Sequence, residues 1–206
     1  MPRIAEPREP GRPTTTSQHA RRRAILRVAA RLGGELGLER VQMSDVAAAA
    51  GVALGTLYRY YPSKHHLYSG VLEAAVAELP PPAGHPGDPV GAVADFLENA
   101  VTQLLRRPLL GRAMLVSVNA VRSAGTIAVD TTMRDRIIAV AGIAEPDAGD
   151  HQLARLAEQS AYGIMTWATA GQLDAAQAAA DMRRACTLLL APWGSAVPAN
   201  DDRMRE

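Results

Sequence analysis

Apolar residues recur three and four positions apart through most of the chain, and no stretch alternates with the period of two that a half-buried strand needs. The pattern predicts helices. After the hydroxyl cluster at residues 14–17, Ile25, Val28, Ala29, Leu32 and Leu36 share one stripe, which Gly37 can end. Met43, Val46, Ala47 and Ala50 mark a short second helix, with Gln42 or Ser44 placed to cap it and Gly51 to stop it. A third starts near Ala53 and turns Leu54, Leu57 and Tyr61 inward. Pro62-Ser63 closes it and caps a longer helix carrying Leu67, Val71, Leu72, Ala75, Val76 and Leu79.

A breaker run over residues 80–87 interrupts the pattern. Asp88-Pro89 then caps a helix with Val93, Phe96, Leu97, Ala100, Val101, Leu104 and Leu105 on one stripe, ending before Pro108. Residues 109–124 form the next, apolar on more than one face, and residues 126–141 another, with Ile127, Met133, Ile137, Ile138 and Val140. Asp150 suits the cap of a long helix ending at Gly171. Asp174 caps the last, which Pro192 terminates. The fold class is all-α, with roughly nine helices.

The densest chemistry lies in residues 41–64, VQMSDVAAAAGVALGTLYRYYPSK. Two short helices around a tight glycine turn read as a helix-turn-helix. The second helix leaves Gly55, Thr56, Tyr58, Arg59 and Tyr60 outward, where a merely solvated face would carry Glu, Lys and Ala. Hydroxyls, a guanidinium and planar rings suit phosphate oxygens and base edges in a major groove. Arg59 and Ser44 are the candidates for sequence readout. Lys64 sits in the first turn of the following helix, where the dipole disfavours a cation, so a phosphate is its expected partner. Arg21, Arg22, Arg23 and Arg27 lie nearby on the first helix, one or two of them suited to phosphate.

This stretch resembles the TetR-type one-component transcriptional regulators, whose pattern runs close to TTVxDIAxxAGVSxGTLYxYFxSK. Gly51-Val52, Gly55-Thr56-Leu57-Tyr58 and Tyr60-Tyr61-Pro62-Ser63-Lys64 carry the resemblance, which covers about residues 15–75. Two caps depart from it: Gln42 and Ala53 stand where the family has Thr and Ser. The resemblance implies a three-helix DNA-binding domain at residues 15–63 and a helical ligand-binding and dimerisation domain at 64–194, whose last two long helices pair in a homodimer. A basic arm (1–14) and a tail (195–206) flank them. It implies a repressor that a small apolar molecule releases from a palindromic operator. GVALGTLYRYYPSKHHL and the segment from Arg107 to Met114 are similar to the regulators of steroid breakdown, which implies a steroid or its coenzyme A thioester as ligand. Met114, Asn119, Met133, Gln159, Tyr162, Met165, Thr166 and Trp167 are the candidates to line its site.

Net charge is only +1, yet residues 1–66 carry 11 Arg/Lys against 5 Asp/Glu and residues 67–206 carry 11 against 16. A basic first part suits a polyanion and an acidic remainder would avoid one. One cysteine, Cys186, excludes an internal disulfide and fits a cytoplasmic protein, with burial its expected fate. No segment has the roughly 18 apolar residues of a membrane span. No cofactor or metal site is expected; His65 and His66 are helix neighbours about 100° apart and cannot share an ion. The enzyme signatures HExxH, P-loop and nucleophile elbow are absent, and the Gly33-Gly34-Glu35-Leu36-Gly37 run follows no strand, reading instead as a helix end. An α-helical enzyme would have to draw on His151, Asp95, Glu98 and Asp130. A DNA-binding dimer with no sensing role is the other alternative.

Overall fold

The computed structural model describes residues 15–83, 85–125 and 131–195. In chain order its helices are α1 (Thr16–Arg40), α2 (Met43–Ala49), α3 (Leu54–Tyr60), α4 (Lys64–Glu78), α5 (Pro89–Leu105), α6 (Pro108–Ala124), α7 (Thr132–Ala141), α8 (Ala148–Thr169), α9 (Ala175–Leu189) and α10 (Ala191–Ser195). Among the described residues there is no strand, as the helical periodicity requires. The helix expected over residues 126–141 is described from α7 onward; residues 126–130, with Ile127, lie outside the described residues. The arm and tail lie outside them too.

The chain divides into two compact units, one of Met1–Glu78 with Leu104–Thr131, the other of Leu79–Gln103 with Thr132–Glu206. In the first, α1 starts on a reciprocal cap: Thr15 accepts from the Gln18 backbone N–H and the Gln18 side chain accepts from Thr15. Gly33 and Gly34, expected to end this helix, are inside it. Gly37 alone leaves helical geometry, at φ 75°. Both α4 and α6 pack on α1 and on each other. This unit thus takes in α4 and α6 together with α1, α2 and α3. Arg107 fixes the entry to α6 by donating to the Ala30 carbonyl at 2.9 Å.

In the second unit α5 buries Val93, Phe96, Leu97, Ala100 and Val101, the stripe read from its spacing. Its start is capped by the Asp88 carboxylate, which accepts from the Gly91 N–H at 2.8 Å. α8 lays Ala154, Ala157, Ala161, Met165 and Ala168 into the interior, and its alanines allow a close approach to α7 and α9. The N-cap of α8 is Asp147, not Asp150. The two carboxylates exchange bonds with each other's backbone N–H groups, and Asp150 is the N3 member of that box. Asp174 caps α9 in the same way with Gln177. Pro192 does not end the helical run but opens α10, whose Trp193 is buried and donates its ring N–H to Asp150 at 2.7 Å.

Candidate nucleic-acid interface

Between α2 and α3 the chain turns on Gly51, at φ 65°, a conformation without steric cost only for glycine. The Val52 N–H reaches back to the Ala47 carbonyl at 3.0 Å and the Gly51 N–H to Ala48 at 3.2 Å, the paired bonds of a Schellman turn. Val46, Ala47 and Leu57 are buried on either side of it. Hydrogen bonds and packing therefore hold the angle between the two helices. Neither Gln42 nor Ala53 makes a side-chain cap, so both helices start without one.

Of the residues expected outward on α3, Gly55, Tyr58 and Arg59 are exposed and Thr56 is half-buried. Two expectations are corrected. Leu54, expected inside, is 42% exposed in the first turn, and Tyr60, expected outside, is 5% exposed. Leu57, Tyr60 and Tyr61 stand at i, i+3 and i+4, one helical face, so both tyrosines follow Leu57 inward. The buried Tyr60 ring still serves the outer face. The Arg59 guanidinium lies 5.7 Å from its centroid, a cation–π distance that orients the arginine. Ser44 is exposed on α2, its hydroxyl 3.4 Å from the Asp45 carboxylate.

Lys64 has partners inside the protein. Its ammonium donates to the carbonyls of Glu39 at 3.3 Å and Val41 at 3.2 Å, satisfying the end of α1 from the start of α4. A third donor is left on the same nitrogen. Arg22, one of the basic residues of α1, is also engaged: Nε donates to the Tyr61 hydroxyl at 3.1 Å and Nη2 pairs with Glu73 at 3.1 Å. Burial raises the Tyr61 pKa while Arg22 opposes the rise. Arg21, Arg23 and Arg27 are exposed. His65 and His66 are half-buried; His65 Nδ1 lies 3.2 Å from the Ser117 hydroxyl of α6 and His66 Nδ1 2.7 Å from Ser63. Ser63 also accepts from the His66 N–H, capping α4 as expected.

The candidate ligand residues are divided between the two units. Met114 and Asn119 belong to the first, Met133, Gln159, Tyr162, Met165, Thr166 and Trp167 to the second. Met114 and Met165 are buried, and Met133 and Tyr162 half-buried. Asn119, Gln159, Thr166 and Trp167 face outward, Trp167 at 59% exposure. The reason is periodicity: Met165 and Ala168 occupy the inner face of α8, which turns Thr166 and Trp167 away. Among the described residues there is no group of three or more potential metal ligands, and no helix is long and apolar enough to cross a membrane. Cys186 is buried, and burial pushes its thiol up to about 11.

These features define an all-α protein with a helix-turn-helix in its first unit. Residues 25–71 match the family described as bacterial regulatory proteins, tetR family, and residues 87–189 match the tetracyclin repressor-like C-terminal domain. The chain belongs to the tetR family. It is similar to a TetR transcriptional regulator from Rhodococcus sp. RHA1, with 40% identity and a TM-score of 0.75 over 86% of this chain and 98% of that one. The HTH-type transcriptional repressor KstR of Rhodococcus jostii is 36% identical over 103 residues, 49% of each chain. The chain spans about half the length of the curated relatives it matches. FadR of Thermus thermophilus, solved in complex with lauroyl-CoA, shares the fold at 19% identity and a TM-score of 0.58, over 90% of this chain and 99% of that one.

Proposed function

We propose that this chain is a cytoplasmic, homodimeric transcriptional repressor that leaves a palindromic operator when a small, largely apolar molecule binds it. The half-buried Thr56 and the exposed Tyr58 and Arg59 on a helix fixed by the Gly51 turn carry the reading. Gly55 brings backbone close to DNA, Thr56 and Tyr58 meet phosphates or base edges, and Arg59 and Ser44 read sequence. Lys64 adds a phosphate contact with its remaining donor. Tyr60 acts through Arg59. Residues 15–63 are the DNA-reading part and residues 64–194 the sensing and dimerising part.

The homodimer interface is assigned to α8 and α9. Leu156 and Trp167 on α8 and Leu188 on α9 are exposed at 37%, 59% and 61%, large side chains that a second copy would cover. The first unit also suits a relay, because α6 packs on both α1 and α4 and the contact between His65 and Ser117 joins two of these helices. A ligand that shifts α6 must shift the head. The similarity to a transcriptional repressor favours repression over activation. Native mass spectrometry of the purified protein tests the sensor role by revealing a retained small molecule. Titrating that molecule with and without saturating operator must then show a reciprocal loss of affinity; equal affinities would leave a DNA-binding dimer without a sensor.

A further inference from the structure

Among the described residues, no carboxylate pairs with Arg136, a half-buried cation on α7. One terminal nitrogen donates to the Leu79 carbonyl, and its guanidinium carbon lies 5.4 Å from the centroid of the buried Phe96 ring. Its Nε–H is buried without a hydrogen-bond partner. Two other arginines of the same unit have carboxylates beside them. Arg134, two positions earlier on the same helix, has an Nε that is likewise buried and poorly aligned for a hydrogen bond, yet it lies 2.8 Å from the Glu158 carboxylate, and Arg183 pairs with Asp95 and Glu98, each at 2.6 Å. A guanidinium that has given up water without gaining an anion is unfavourable, and an apolar side chain of similar volume would serve packing alone better. Its planar fork matches a carboxylate or phosphate.

We propose that Arg136 anchors an anionic group of the effector, which is therefore an amphiphilic acid or acyl thioester and not a neutral apolar molecule. The assignment rests on the sensor reading above. Met133, one turn before Arg136 on the same face of α7, and the ring of Phe96 place apolar surface beside the charge. An anion accepting from the Nε–H supplies the missing partner, while the bond to Leu79 is kept.

The test compares laurate, lauroyl-CoA and the uncharged 1-dodecanol on wild-type protein and on Arg136→Gln, which removes the charge but keeps an amide donor for the Leu79 carbonyl. Arg136→Met serves as a second variant should the first not fold. Binding is followed by calorimetry and, separately, by release of a selected operator duplex. The expected result is that an anionic probe binds wild type more tightly than dodecanol, and that the substitution removes about tenfold to a hundredfold of that preference. Loss for laurate identifies a carboxylate at Arg136; loss confined to lauroyl-CoA identifies a phosphate of the thioester. Wild-type protein that responds to dodecanol as strongly as to the anions keeps the sensor reading and overturns the Arg136 assignment, as does an acid preference unchanged in the variants. Wild-type protein that binds operator but responds to none of the three probes overturns both.

Discussion

The ring of Tyr68 lies where Gly33 has no side chain: a Cβ there would stand 2.5 Å from ring atom Cε1, and the hydroxyl of Tyr68 donates to the Ala29 carbonyl at 2.9 Å. α4 thereby presses its largest buried side chain directly onto the backbone of α1. Tyr68 is fully buried, and burial raises its pKa to about 12. Gly33→Ala forces the ring out of its place, at a cost of about 1–3 kcal/mol from overpacking. Tyr68→Phe keeps the packing and loses one buried hydrogen bond, about 1 kcal/mol. Denaturant titration should rank Gly33→Ala as the more harmful of the two.

Arg59→Ala and Lys64→Ala should differ in kind. Arg59 is exposed and makes only a stacking contact, so its loss leaves the melting temperature near wild type while relaxing sequence preference by ~1–3 kcal/mol. Lys64 satisfies two carbonyls at the end of α1, so its loss lowers the melting temperature and weakens binding to all sequences about equally. Thermal melts beside competition binding separate the two effects.

Stability should fall with pH through the histidine range. Burial, assisted by neighbouring His65, holds His66 below its ordinary 6.5. The unfolded chain therefore takes up the proton first as pH falls. The contribution is fully present above pH 6.5 and is lost as the pH drops towards the folded value. Melting temperatures between pH 7.5 and 5 should slope downward at the acid end, and His66→Gln should flatten the slope.

Cys186 should be inert in the native protein. Its thiol is 1% exposed and raised to about 11, so a thiol reagent at pH 8 meets neither access nor thiolate. Labelling only after denaturation is the expected outcome.

Helix order, the Gly51 turn, the Asp174 cap and the α5 stripe were legible because each is a local property of spacing or backbone conformation. What escaped depended on partners distant in sequence. Nothing near Gly33 announces Tyr68, and nothing near Lys64 announces the carbonyls of Glu39 and Val41. The Gly33-Gly34 pair looked like a stop signal, whereas it admits the Tyr68 ring and the Arg107 guanidinium against the helix. Tyr60, read as outward, turns inward with Tyr61 because i+3 and i+4 from Leu57 share a face. Asp150 was read as the cap of α8, and only its reciprocal bonds with Asp147 place it at N3 instead. Arg136 carried no motif at all; its significance comes from the carboxylate it lacks.

Paired heads are proposed to read DNA through α3. Selection from a random duplex pool, followed by titration of the recovered sequence at two salt concentrations, tests it most directly. The expected result is a palindromic or pseudo-palindromic site with two chains per duplex and half-sites about 34–36 Å apart or a multiple of that, and an affinity that falls steeply as salt rises. No enriched sequence, or an affinity unchanged between low and moderate salt, would contradict it.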